Sequence, residues 1–303
     1  MKKLYALIFL FFLTGGFCSA QFKISARTGA IKTNTKEILW TKQGDDAQII
    51  SLLDWNTYAA PVVSLDAQYK LHNNFYFGLN SFYTIPFSYG IMEDSDYMNL
   101  ISTGRTERTH YSNHKNILDN YWNIDGFLGI GGNITQKLEV AALFSLGYSY
   151  FCFTAHDGYK QYYDQPITPM QGKIITLEEQ KVYFGLGTNL ICYATDKLSF
   201  GLNLKLMPSM MNQVLDTHYR RANKFSYFEL PGELAFKSEL LLEYKLNRNN
   251  AINVLLDFSG SSVKNGNLYQ SKDKTIWKQF ANQTGLKQTE WAVLLGYTYI
   301  YEK

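Results

Sequence analysis

A period-two alternation of apolar and polar residues, repeated along most of the chain, restricts the possible folds more than any other feature. From Leu198 one face reads Leu198, Phe200, Leu202, Leu204 and Leu206, while Ser199, Gly201, Asn203 and Lys205 face the other way. The segment from Phe236 sets Phe236, Ser238, Leu240, Leu242 and Tyr244 against Lys237, Glu239 and Glu243. Ile252, Val254, Leu256 and Phe258 repeat the pattern opposite Asn253, Asp257 and Ser259. The last segment gives Trp291, Val293, Leu295, Tyr297, Tyr299 and Tyr301 on one face. Successive strand side chains point to opposite faces, so charge confined to alternate positions selects strands and rejects a helical period.

The connectors alternate in length. Short turns fall near 72–74, 133–136, 194–197 and 247–250, and long polar loops near 41–47, 98–113, 157–179, 219–224 and 264–287. Four short and five long connectors predict ten strands, over 22–40, 48–71, 74–93, 114–132, 137–156, 180–194, 197–216, 225–246, 250–264 and 287–301. Short turns on one side and long loops on the other are the habit of outer-membrane barrels. The predicted fold is therefore all-β: a ten-stranded antiparallel transmembrane β-barrel of the outer-membrane type, with residues 21–303 as its one domain. A soluble β-sandwich is the alternative; Tyr and Trp at the ends of the apolar faces favour an interfacial girdle instead.

Composition supports the same reading. Aromatic residues make up 16% of the chain, 23 of them Tyr. Mean hydropathy is nonetheless negative, so apolar residues are spread thinly rather than gathered in a core. Lys2 and Lys3, the apolar run from Leu4 to Leu13 and Cys18-Ser19-Ala20 read as a signal peptide over 1–20, cleaved before Gln21. Phe17 argues against lipidation at Cys18. Cleavage leaves 27 basic against 26 acidic residues, which makes no electrostatic case for nucleic acid. Cys152 and Cys192 fall at opposite ends of a predicted hairpin, too far apart for a disulfide.

Two triplets carry chemistry: Asp94-Ser95-Asp96 and Asp216-Thr217-His218. Each places two side chains on the same side of an extended backbone. With the N-terminus periplasmic, odd strands run outward. The third strand then ends at Asp94 and Asp96, the seventh at Asp216 and His218, and the first near Glu37. All three reach the outer rim. The third and seventh strands nearly face each other across a ring of ten.

Several segments resemble the omptin family of outer-membrane endopeptidases. Ser51-Leu52-Leu53-Asp54-Trp55 is similar to its S-x-L-D-W, and Met92-Glu93-Asp94-Ser95-Asp96-Tyr97-Met98 to its M-x-D-x-D-W-M, with Tyr97 for Trp. Asp216-Thr217-His218-Tyr219 resembles its D-E-H-Y, and Phe153-Thr154-Ala155 and Thr35-Lys36-Glu37 fall in register. The resemblance implies a monomeric barrel rising above the outer membrane, with an exterior cleft that hydrolyses peptides or proteins near basic residues. It implies Asp216 and His218 as a dyad, Asp94 and Asp96 as a facing couple, and a water held between them. His suits proton transfer near neutrality, and opposed carboxylates push one pKa upward.

The resemblance also implies binding residues. Glu37 matches an acid of the pocket for the residue before the cut. The second acid's position holds Val214, a loss that weakens selection for Arg or Lys. The acid for the residue after the cut falls on Thr106 or Glu107. Family activity leans on lipopolysaccharide held by basic side chains; here Tyr150 replaces the arginine of the fifth strand, so lipopolysaccharide stays an open candidate for an activator. No other cofactor is implied. His110 and His114 have metal-ligand spacing but read as surface residues of a loop or strand edge, and no metal, phosphate-loop or serine-nucleophile motif occurs. The competing functions are a non-catalytic barrel acting as adhesin or surface receptor, and a narrow channel. Inward Lys205, Lys237, Glu239 and Glu243 are expected to fill such a channel with ion pairs.

Overall fold

The computed structural model describes residues 21–41, 48–72, 75–98, 107–163, 165–221 and 224–302; the signal-peptide reading lies outside them. The strands are β1 (Gln21–Trp40), β2 (Ile49–His72), β3 (Phe75–Thr84), β4 (Tyr89–Asp96), β5 (His110–Thr135), β6 (Leu138–Tyr162) and β7 (Thr168–Tyr193). They continue as β8 (Leu198–His218), β9 (Phe225–Glu229), β10 (Leu234–Lys245), β11 (Asn250–Ser261), β12 (Lys264–Ser271) and β13 (Lys278–Glu302). Every pairing is antiparallel, and β1 pairs with β13 from Gln21↔Glu302 to Leu39↔Thr284, which closes the sheet into a barrel.

Thirteen segments make ten staves, because β3 with β4, β9 with β10, and β11 with β12 each occupy one place in the ring. Proline explains two of the three breaks. Pro61 on β2 stands opposite the gap between β3 and β4, beside Pro86 in the gap itself. Pro208 on β8 faces the first residue of β10, and Pro231 lies between β9 and β10. A residue without an N–H cannot supply the ladder on both sides, so pairing stops and restarts. The third break, at 262–263, has no proline.

Two loops expected from polarity are largely strand. Much of 157–179 belongs to β6 and β7, and much of 264–287 to β12 and β13. β5 likewise starts at His110, four residues before its expected start. These are the parts of the barrel beyond the apolar outer band, where the outer face meets water and the alternation of apolar with polar fades.

The barrel changes character along its axis. In the lower half, large apolar side chains such as Leu65, Leu206, Leu256 and Leu295 are exposed on the outside. The inside there is charged and paired: Lys205 with Asp125 at 2.5 Å, Lys237 with Glu239 at 2.9 Å and Asp257 at 3.1 Å, and Lys23 with Glu243 at 2.6 Å. The ion pairs expected of an inward Lys205, Lys237, Glu239 and Glu243 are present, around a lumenal cavity of about 250 Å³.

In the upper half the arrangement inverts. Asn34, Asp54 and Asn56 hydrogen-bond one another away from the buried row of their strands, and Glu93 accepts from Tyr111. The interior is an apolar cluster including Leu53, Trp55, Met92, Phe153, Leu177, Val214, Phe228 and Leu286. Trp55 stacks on Phe153 with ring centroids 5.8 Å apart. Burying such side chains contributes about 2 kcal/mol each. The upper half is therefore built like a water-soluble domain, with a dry floor under the rim. Cys152 and Cys192 are both free, as their spacing required.

Candidate active site

Strand register brings the rim residues together. Glu37 pairs with Leu53, Leu53 with Asp94 and Asp94 with Ser112, so one row crosses β1, β2, β4 and β5. A second row crosses the far wall: Ser226, Asp216 and Leu177 on β9, β8 and β7. Alternation turns Met92, Asp94 and Asp96 to the buried side of β4, and Asn212, Val214, Asp216 and His218 to the buried side of β8. In each series the apolar member lies below and the ionisable members at the rim. Backbone bonds finish the strand ends: His218 N–H donates to the Lys224 carbonyl at 2.7 Å, and Thr109 N–H to that of Asp96 at 2.8 Å.

The dyad is formed. His218 Nε2 lies 2.6 Å from Asp216 Oδ2, with Asp216 only 1% exposed. A donor bond from Nε2 leaves Nδ1 as the ring nitrogen with a lone pair. Across the cleft, Asp94 is 5% exposed. Burial raises its pKa to about 6; Asp96 and Asp216 push the same way, and Arg221 and His218 oppose them. The charges of Asp216 and His218 thus act on Asp94, so the two triplets lie at the same end of the barrel.

Glu37 completes the acidic cluster. It is 1% exposed, and burial followed by the charges of Asp216, Asp94 and Asp96 holds its pKa well above the usual carboxylate range. Among the described residues, Glu37 Oε2, Asp94 Oδ1 and Asp216 Oδ1 are buried without a hydrogen-bond partner. Buried polar atoms are normally paired, so these three oxygens have acceptor capacity left for a water or a substrate group. Val214 is fully buried in the floor, two residues below Asp216. Glu107 stands apart: it is exposed and accepts a bond from Tyr163 at 3.2 Å. Thr106 lies outside the described residues.

Sequence reasoning missed two residues. Arg221, beyond the end of β8, places Nη2 2.8 Å from Asp94 Oδ2 and 3.5 Å from Asp96 Oδ2. Although its side chain is half-exposed, the desolvation it does undergo opposes the charged form; Asp94, Asp96 and Asp216 outweigh this and raise the pKa. The dibasic pair Arg220-Arg221, close behind His218 in a cleft of carboxylates, was the available signal. His114 corrects the surface reading: it is 1% exposed, with Nδ1 2.8 Å from the Asp157 carbonyl. That bond fits an Nδ1–H tautomer, and Nε2 has no partner among the described residues. Register shifts beside it, at His114/Lys115 between β5 and β6 and at His156/Gly158 between β6 and β7, leave Asp157 out of both ladders, where it takes φ 47°. His110 is half-buried against Tyr162. At Tyr150 the hydroxyl donates to Glu178 at 3.2 Å, which puts a carboxylate where the resemblance expected a cation.

The omptin family model matches residues 18–301, nearly the whole chain. The chain belongs to the omptin family. The outer-membrane protease OmpT of Escherichia coli superposes on this omptin with a TM-score of 0.81 at 15% identity, over 95% of this chain and 100% of that one. The barrel fold of the outer-membrane type is thus shared at low sequence identity. OprG of Pseudomonas aeruginosa aligns over 95% of this chain and 98% of its own, at 10% identity and a TM-score of only 0.34. No curated protein matches the sequence.

Proposed function

We propose that this omptin is an outer-membrane endopeptidase that hydrolyses extracellular peptide bonds near basic residues, with Asp216, His218, Asp94 and Asp96 acting on one water. The observation that carries the reading is the opposition of a bonded Asp216–His218 dyad to a buried Asp94, at one rim and above a dry floor. In the proposed step, Nδ1 of His218 takes a proton from the water as its oxygen bonds to the scissile carbonyl carbon. Asp216, bonded to Nε2, stabilises the imidazolium. Asp94 in its protonated form donates a hydrogen bond to the oxygen that gains the negative charge. The carbon–nitrogen bond then breaks, and His218 returns its proton to the leaving amine.

The preference for basic residues rests on charge. Glu37, Asp94, Asp96 and Asp216 give the cleft four carboxyl groups, which favour an incoming cation. Val214 supplies no second acid at the pocket floor, so selection between Arg or Lys and neutral residues should be shallower, by about 1.5–3 kcal/mol for one charge-assisted bond. Digestion of a fluorogenic peptide library by the refolded barrel, with and without lipopolysaccharide, tests the reading. Cuts should cluster beside Arg and Lys. Intact peptides in both arms would leave the reading without support from activity and return the barrel to a binding role.

A further inference from the structure

The cleft already holds a basic side chain, and it is the protein's own. Arg221 reaches from the end of β8 across the opening, and its Nη2 meets Asp94 Oδ2 on the opposite wall at 2.8 Å and Asp96 Oδ2 at 3.5 Å. Its charge also acts on Glu37 at the first stave. Within the cluster it joins, Asp94 Oδ1, Glu37 Oε2 and Asp216 Oδ1 are buried with no hydrogen-bond partner among the described residues. Arg221 itself is not fixed like its partners. Its side chain is 47% exposed, against 6% for Asp94, and it lies beyond the last residue of the β8 ladder. A guanidinium with that exposure can leave by side-chain rotation alone, because no ladder bond of β8 has to break.

We propose that Arg221 is a tethered occupant of the cleft, holding the place of a substrate's basic side chain until that side chain displaces it. The consequence for catalysis rests on the endopeptidase reading; the occupancy itself does not. Four buried carboxyl groups repel one another and must share a cation or take up protons. Arg221 supplies the cation in the resting protein. An arginine or lysine of a peptide brings a cation to Glu37 as Arg221 leaves, while Asp94 takes up the proton its part in the reaction requires, so the carboxylates never face each other unscreened. A peptide without a basic residue removes Arg221 and offers nothing in return. Displacement costs every peptide the same, and a basic peptide alone recovers that cost through the ion pair it makes. The tether weakens binding of every ligand, because a local side chain competes at high effective concentration.

The test compares full-length refolded wild type with Arg221→Gln and Arg221→Lys, using N-acetylarginine amide as the binding probe and basic fluorogenic peptides as substrates. Arg221→Gln should bind the probe about tenfold more tightly and lower KM for basic peptides by about the same factor. Its preference for basic over neutral peptides should stay near that of wild type, because both are relieved of the same displacement cost. Arg221→Lys should stay near wild type. Unchanged or weaker probe binding in Arg221→Gln overturns the proposal, and so does a fall in kcat at unchanged KM, which would put Arg221 in the chemistry. Tighter probe binding with no peptide cut by any form would support the occupancy and sink the endopeptidase reading. Peptide cleavage without a gain in probe binding would do the reverse.

Discussion

His218→Ala should lower kcat for a basic peptide by about 10²- to 10⁴-fold, while KM stays within about threefold. The asymmetry follows from what His218 touches. Its Nε2 is committed to Asp216 at 2.6 Å, and its ring stands at the rim rather than in the floor. Removing the imidazole deletes the acceptor for the water's proton and the donor for the leaving amine. It leaves Glu37 in place to bind a cation. The barrel should survive the change: His218 is the last residue of β8, and its ladder bonds come from backbone. Stopped assays with the refolded variant give both constants. A fall in kcat/KM carried by KM alone would make His218 a binding residue.

Asp94→Ala should lower kcat by about 10²-fold, and Asp94→Asn should separate charge from shape. The pKa of Asp94 is raised to about 6, by burial first and then by Asp96 and Asp216, while Arg221 and His218 pull the other way. The sign is therefore fixed. The protonated form that donates to the developing oxyanion dominates below about pH 6 and is lost as pH rises through it. At pH 7 about one molecule in ten still carries the proton. In wild type, kcat/KM, which reports the free enzyme, should decline as pH rises past about 6. Asp94→Asn keeps a donor N–H but cannot ionise, so this decline should vanish while the maximal rate drops about tenfold or more. A variant profile that falls over the same pH range as wild type would assign that ionisation to another group.

Most of the barrel was legible because the membrane imposes a strict rule. A strand with lipid outside and a charged lumen inside must alternate; Phe200 to Leu206 does so throughout, and Ile252 to Phe258 and Trp291 to Tyr301 keep an unbroken apolar outer face with Leu255, Ala292, Leu294 and Ile300 as apolar residues on the inner one. The tips obey no such rule. Between Lys173 and Glu179, and from Lys278 to Lys287, water lies outside and the inner face carries apolar floor or polar rim, so strand reads as loop. The proline pairs at Pro61/Pro86 and Pro208/Pro231 were visible in sequence, but their opposition depends on register. The site followed the same division. Asp94, Asp96, Asp216, His218 and Glu37 were placed by counting residues along rigid strands. Arg221 escaped because its position depends on a loop beyond the ladder, and His114 because the register shift at Leu118/Asn120 changes which alternate positions of β5 face inward.

A double-mutant cycle on kcat with His218→Ala and Asp94→Ala tests most directly whether both walls serve one water. Residues acting on the same reacting molecule are strongly non-additive, so the double variant should be no slower than the slower single variant, within about threefold. Losses that multiply in full would mean that His218 and Asp94 act independently, and the opposition of the two walls would then have no part in the chemistry.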